Sequence, residues 1–147
     1  FLETDLEFAK RLYDVNCMSV VYMDHLVIPY MVRQRWGRVV TVTSVGGMMG
    51  FAGNAEYSGS KAAAHGRAKA IARELGAYNV TYNVVAPGCT QTDMVEAADP
   101  ADVERTRLAT PLRRLIQPQE IADAVLYLLQ ADSVTGQILS PNAGLYI

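Results

Sequence analysis

The sequence predicts an α/β fold built on a parallel sheet. Two observations carry this. The run Val39–Thr43 is nearly continuous in β-branched residues rather than alternating, as a parallel strand covered on both faces is. Strand segments also alternate with helical ones along the chain, which is the βαβ arrangement.

The elements follow in order. Glu3–Arg35 reads as helix, with Thr4 or Asp5 able to cap its start. Val20, Val21, Met23, Leu26, Val27 and Met31 cover much of its circumference, so it needs protein on more than one side. Pro29 is expected to kink it and Gly37 to end it. Arg38–Ser44 is the first strand. A loop with Gly46, Gly47, Gly50 and Gly53 follows. Ala55–Tyr78 is a helix rich in small residues, a surface that lets another backbone approach closely. Val80–Ala86 is a second strand closed by Pro87-Gly88, and Asp99–Ala109 a short helix. Pro118-Gln119-Glu120 opens a last helix with Ile121, Val125, Leu128 and Leu129 as its apolar stripe. Gly136–Ser140 is a short final strand. Three parallel strands make a small sheet, and Val39–Thr43 looks interior. As an edge it would lack a partner on one side, so more sheet is expected upstream.

Composition sets the class. With 147 residues, 50% of them hydrophobic and 19% charged, the chain reads as a single globular domain. A net charge of -2 provides no field for nucleic acid or an acidic membrane surface. The apolar run Cys17–Val32 is interrupted by Asp24, His25 and Pro29 and is read as no membrane span. Cys17 and Cys89 have neither metal-site nor disulfide-framework spacing, so no metal is expected, and a reducing cytoplasm is the expected compartment. The chain opens at Phe1 with no initiator Met or signal peptide; either the start is processed or sequence lies upstream.

Three residues carry chemistry. Ser44 closes the first strand, Tyr57 opens the small-residue helix, and Lys61 lies one turn later on the same face. Open α/β sheets bind ligands beyond the carboxyl ends of their strands, where Ser44 stands and Tyr57 can reach. A free tyrosine titrates at about 10, too high for acid–base work near neutrality. A nearby ammonium and the positive end of a helix both favour the phenolate. Tyr57 could then exchange a proton with a substrate oxygen that Ser44 holds by a hydrogen bond.

Ser44 followed by Tyr57-Ser58-Gly59-Ser60-Lys61 resembles the Ser and Tyr-x-x-x-Lys signature of the short-chain dehydrogenase/reductase family. Val15-Asn16, Asn83-Val84-Val85-Ala86-Pro87-Gly88, Thr92-Asp93-Met94, Pro118-Gln119-Glu120-Ile121-Ala122 and Thr135-Gly136-Gln137 extend the resemblance over essentially the whole chain. It is closest to 3-oxoacyl-carrier-protein reductases. The resemblance implies residues 1–147 are a single partial domain, the C-terminal part of a doubly wound parallel-sheet Rossmann-type fold, with the N-terminal βαβ dinucleotide-binding units missing. It implies hydride transfer between NAD or NADP and a carbonyl or secondary alcohol, 3-oxoacyl thioester-like, an activity that requires the sequence missing from these residues. Tyr57 would be the general acid/base, Ser44 would orient the substrate, and Lys61 would lower the tyrosine pKa and bind the ribose. Asn16 would hold a water relaying protons to Lys61. Pro87, Gly88, Thr90 and Thr92 would line the nicotinamide site. A dimer or tetramer is expected. The glycine-rich phosphate turn, Gly-x-x-x-Gly-x-Gly, is absent from the 147 residues. Asn142-Ala143-Gly144 stands where the family usually has Asp-Gly-Gly.

Other residues read as structural. His65, one turn beyond Lys61, His25 and Cys89 are expected to pack rather than react. Arg67 either alters a subunit contact or pairs with a local carboxylate. Glu96–Arg107 is a solvated lid over substrate. The rival function is a family member without dinucleotide binding that serves as an assembly partner or a non-redox acid–base catalyst. The intact set Ser44, Tyr57, Lys61 and Asn16 weighs against a purely structural role.

Overall fold

The computed structural model describes residues 2–147. A helical stretch runs from Leu6 to Gln34: α1 (Leu6–Tyr13), a π-helical turn (Asp14–Met18) and α2 (Ser19–Gln34). Asp5 caps it, its carboxylate accepting the Glu7 N–H at 3.0 Å. Pro29 lies inside α2 without ending it. The stop is Arg35, in the left-handed region at φ 53°, whose N–H bonds Val32 while the Trp36 N–H reaches back to Met31. Gly37, expected as the terminator, instead opens β1 (Gly37–Val42), where a Cβ would meet the Met31 side chain at 2.6 Å.

Gly46 and Gly47, expected in a loop, belong to a one-turn helix, α3 (Gly46–Met49). Then come α4 (Ala55–Leu75), a 3₁₀ turn at Gly76–Tyr78, β2 (Val80–Val85), the single turn α5 (Asp93–Glu96), α6 (Pro100–Ala109), α7 (Pro118–Gln130) and β3 (Ile138–Leu139). The last strand is shorter than Gly136–Ser140, although backbone bonds from Val84 to Gln137 and from Ala86 to Leu139 flank it. Asp99 caps α6 through the Ala101 N–H at 2.8 Å. At the start of α7, Arg114 grips Glu120 at 2.6 and 2.7 Å and the Gln117 N–H adds a third bond, which together hold that carboxyl down at about 2.

The strands form one parallel sheet in the order β1-β2-β3, with Gly37 opposite Val80 and Val42 opposite Val85. The sheet is covered on both faces, so all of β2 is buried. Ala68 and Ala72 of α4 pack on Tyr82 and Val84, with Ile28 of α2 beside them. On the other face Ala124 and Leu128 of α7 pack on Val85. The small-residue surface of α4 therefore brings helix backbone close to the sheet.

A polar seam runs under α4. Asp24 of α2 is buried, accepting from Arg67 of α4 at 2.9 Å and from the Tyr82 hydroxyl at 2.8 Å; Thr41 Oγ1 lies 3.1 Å from that hydroxyl. Burial, reinforced by the Asp24 carboxylate, pushes the Tyr82 phenol up to about 12. Of the two expectations for Arg67, pairing with a local carboxylate is the one observed. By length and composition only, the Leu6–Gln34 helix, with a window of mean hydropathy 1.2, is long and apolar enough to cross a membrane. In the fold this helix docks through Asp24 and Ile28, which face α4 and the sheet.

Candidate active site

The site forms where β1 and β2 end side by side. Beyond β1 the pairing continues, as the Thr43 N–H donates to Val85 and the Val45 N–H to Pro87, both at 2.8 Å. Between these anchors lies Ser44, whose Oγ accepts the Gly46 N–H at 3.0 Å. Tyr57 sits in the first turn of α4. Lys61, one turn on, carries its Nζ over the tyrosine ring, 5.9 Å from the centroid. Lys61 is half-buried, and burial lowers its ammonium below the ordinary lysine range.

Ser44 and Tyr57 share a cleft of about 720 Å³ with Gly88, Thr90 and Thr92. Thr90 is fixed by its hydroxyl, which donates to the Gly88 carbonyl at 3.0 Å. Gly88 admits no side chain, because a Cβ would lie 2.8 Å from the Asn142 Cα. Its N–H donates to Pro141 at 2.9 Å, so the C-terminal tail braces this loop from behind. There Asn142 accepts the Gly144 N–H at 2.8 Å and donates to Ser140 and Tyr146. Ala143, beside it, holds a left-handed φ of 55°.

Not every expected residue reaches the cleft wall. Lys61, Asn16 and Pro87 do not line it. Asn16 belongs to the π-helical turn, a distortion common at functional sites. Its Nδ2 donates to Ser60 Oγ at 3.1 Å, and Ser60, fully buried, donates to the Tyr57 carbonyl at 2.8 Å. The structure thus links Asn16 to the backbone of Tyr57. Phe51, Asn54 and Leu145, not singled out in the sequence, also line the cleft, and so do Asp102, Arg105 and Thr106 of α6, within the segment expected over the substrate. The charge spacing along α6 was legible; which of its sides faces inward depends on how α6 docks. Cys89 is a free, half-buried thiol whose pKa burial raises, against any nucleophilic role.

Comparison with known proteins places this arrangement. A family model described as enoyl-(acyl carrier protein) reductase matches residues 1–146. An acetoacetyl-CoA reductase of Acinetobacter sp. (strain RA3849) is 40% identical over 149 residues, spanning 100% of this chain and 60% of that protein. A 3-oxoacyl-[acyl-carrier-protein] reductase of Vibrio cholerae is 38% identical over 136 residues, 91% of this chain and 56% of the relative. The crystal structure of 3-oxoacyl-[acyl-carrier protein] reductase from Brucella melitensis superposes with a TM-score of 0.93 at 34% identity, covering 99% of this chain and 56% of that one. The chain therefore spans little more than half the length of these relatives. Its sheet, its paired strand ends and its sequence agree that it belongs to the short-chain dehydrogenase/reductase family.

Proposed function

We propose that the protein is an NAD(P)-dependent oxidoreductase acting on a carbonyl or secondary alcohol, with 3-oxoacyl thioesters as its substrate class. One observation carries the reading: Ser44 and Tyr57 share a cleft with the Gly88–Thr92 loop that follows the neighbouring strand. That cleft suits the nicotinamide end of the cofactor, with Tyr57, Lys61, Pro87, Gly88, Thr90 and Thr92 as the residues to hold it. When bound, the cofactor supplies or accepts the hydride.

The chain's own groups do the rest. The Ser44 hydroxyl, fixed by Gly46, orients the substrate oxygen and steadies charge developing on it. Tyr57 gives that oxygen a proton, or takes one from it in the reverse direction. Lys61 keeps positive charge along the tyrosine ring and holds the ribose. Asn16 is held by Ser60 through its amide nitrogen, which leaves its carbonyl oxygen for a water that returns protons to Lys61. We place the protein in a reducing compartment, where Cys17 and Cys89 remain thiols. Assembly into a dimer or tetramer belongs to the same proposal.

The test is reduction of acetoacetyl-CoA by NADPH and NADH in the full-length protein, followed by nicotinamide absorbance. Tyr57→Phe lowers turnover by about 10²- to 10⁴-fold, as loss of a general acid does, with the circular dichroism unchanged. A variant within about threefold of the parent removes Tyr57 from the mechanism.

A further inference from the structure

His65, half-buried one turn past Lys61 on α4, has no part in the scheme above. Its ring touches both residues around the Ser44 turn. On one side, its Nε2 lies 3.1 Å from Oγ1 of buried Thr43. On the other, a Cβ at Gly47 would sit 3.1 Å from His65 Cε1 and 2.8 Å from the Ala62 nitrogen, so the turn after Ser44 rests directly on ring and helix. Thr43 is in turn tied to β2, its N–H donating to the Val85 carbonyl at 2.8 Å and its hydroxyl lying 3.4 Å from the same oxygen.

We infer that His65 is a positioning residue: bonded to Thr43 and seated against Gly47, it sets Ser44 at its working distance from Tyr57 and Lys61. The helix that carries the acid–base pair thereby also holds the segment that carries the orienting hydroxyl. His65 does not line the cleft and acts only through Ser44. Burial and the charge of Lys69 hold its imidazole below the ordinary histidine range. The neutral ring has one donor and one acceptor nitrogen, so Nε2 can serve the Thr43 hydroxyl in either sense. The inference rests on the oxidoreductase reading, because Ser44 has work to do only there.

His65→Leu and His65→Gln are compared with the parent in the acetoacetyl-CoA assay with NADPH and NADH. Displacing a reacting group by about 1 Å can cost on the order of a hundredfold in rate. His65→Leu is expected to lower kcat about ten- to a hundredfold while both KM values stay within about twofold. His65→Gln, whose amide can restore the bond to Thr43, is expected to recover kcat to within about threefold of the parent. Should His65→Leu fail to fold, Thr43→Val removes the same bond from the strand side and is expected to reproduce the kcat loss. Parental kcat in His65→Leu or, where that variant does not fold, in Thr43→Val overturns the inference; so do equal losses in Leu and Gln variants. If the full-length protein turns over no acetoacetyl-CoA, the oxidoreductase reading falls and this inference with it; turnover with unaffected variants sinks this inference alone.

Discussion

Gly88 and Asn142 meet at a contact that decides how closely the nicotinamide-side loop approaches the tail. The 2.8 Å separation of a hypothetical Cβ from the Asn142 Cα involves backbone, which cannot swing aside as a flexible side chain can. Gly88→Ala is therefore expected to cost about 1–3 kcal/mol, the usual range for overpacking, and to move the Thr90 and Thr92 hydroxyls. Thermal unfolding reads the first effect and the KM for NAD(P)H the second; a parental Tm with a parental KM would show that the tail yields. The same residues show what sequence alone makes legible. Ser44 and Tyr57 were found by residue type and spacing, Gly88, Thr90 and Thr92 through the family resemblance, and all five share one cleft. Asn16 was found too, but its bond to Ser60 spans 44 residues, and no local pattern encodes such a pair. Ala143 is the converse case: an alanine with φ 55° stands where the family favours glycine, so its identity conceals its conformation.

At the scale of elements, the strands were legible because both are rich in β-branched residues, although only β2 is buried throughout while β1 is partly exposed. The helix ends were less so. Arg35 ends α2 in a left-handed conformation that composition does not announce, and the π-helical turn at Asp14–Met18 leaves no signal in residue type. The single turns α3 and α5 are too short for a period to show. How the elements lock together was not legible either, as the Asp24–Arg67–Tyr82 seam shows. Arg67 joins α4 to α2, and Tyr82 joins both to β2. Removing one partner of a buried pair strands the other. Since the Arg67 side chain is 26% exposed, Arg67→Leu is expected to cost about 2–3 kcal/mol, below the full range for buried pairs. Asp24→Leu/Arg67→Leu is expected to cost less than Arg67→Leu alone, because no charge is left unpaired. Denaturant unfolding of the four species of that cycle gives the coupling; strict additivity would mean the pair does not hold the helices together.

At the scale of the whole molecule, α2 is the unbalanced element. Asp24 and Ile28 dock it, yet Tyr22, Met23, Leu26 and Tyr30 stand 62%, 56%, 65% and 63% exposed. Spacings of three, four and seven residues put Tyr22 or Met23, Leu26 and Tyr30 along one stripe, away from the inward Asp24. A contiguous apolar stripe of this kind is unusual on a monomer in water and marks an interaction surface. A second copy is a suitable cover, since a twofold axis lays the same stripe on itself and closes the assembly without leaving a new patch. The protein in detergent-free buffer is therefore expected to be a dimer or tetramer by light scattering at micromolar concentration. Leu26→Asp, which places a charge in the middle of the stripe and far from the cleft residues, is expected to shift it toward monomer with the circular dichroism retained. A parent that is monodisperse and monomeric at that concentration would refute self-association through α2, and the stripe would then need another cover, with the membrane-like apolarity of the Leu6–Gln34 helix as the next property to test.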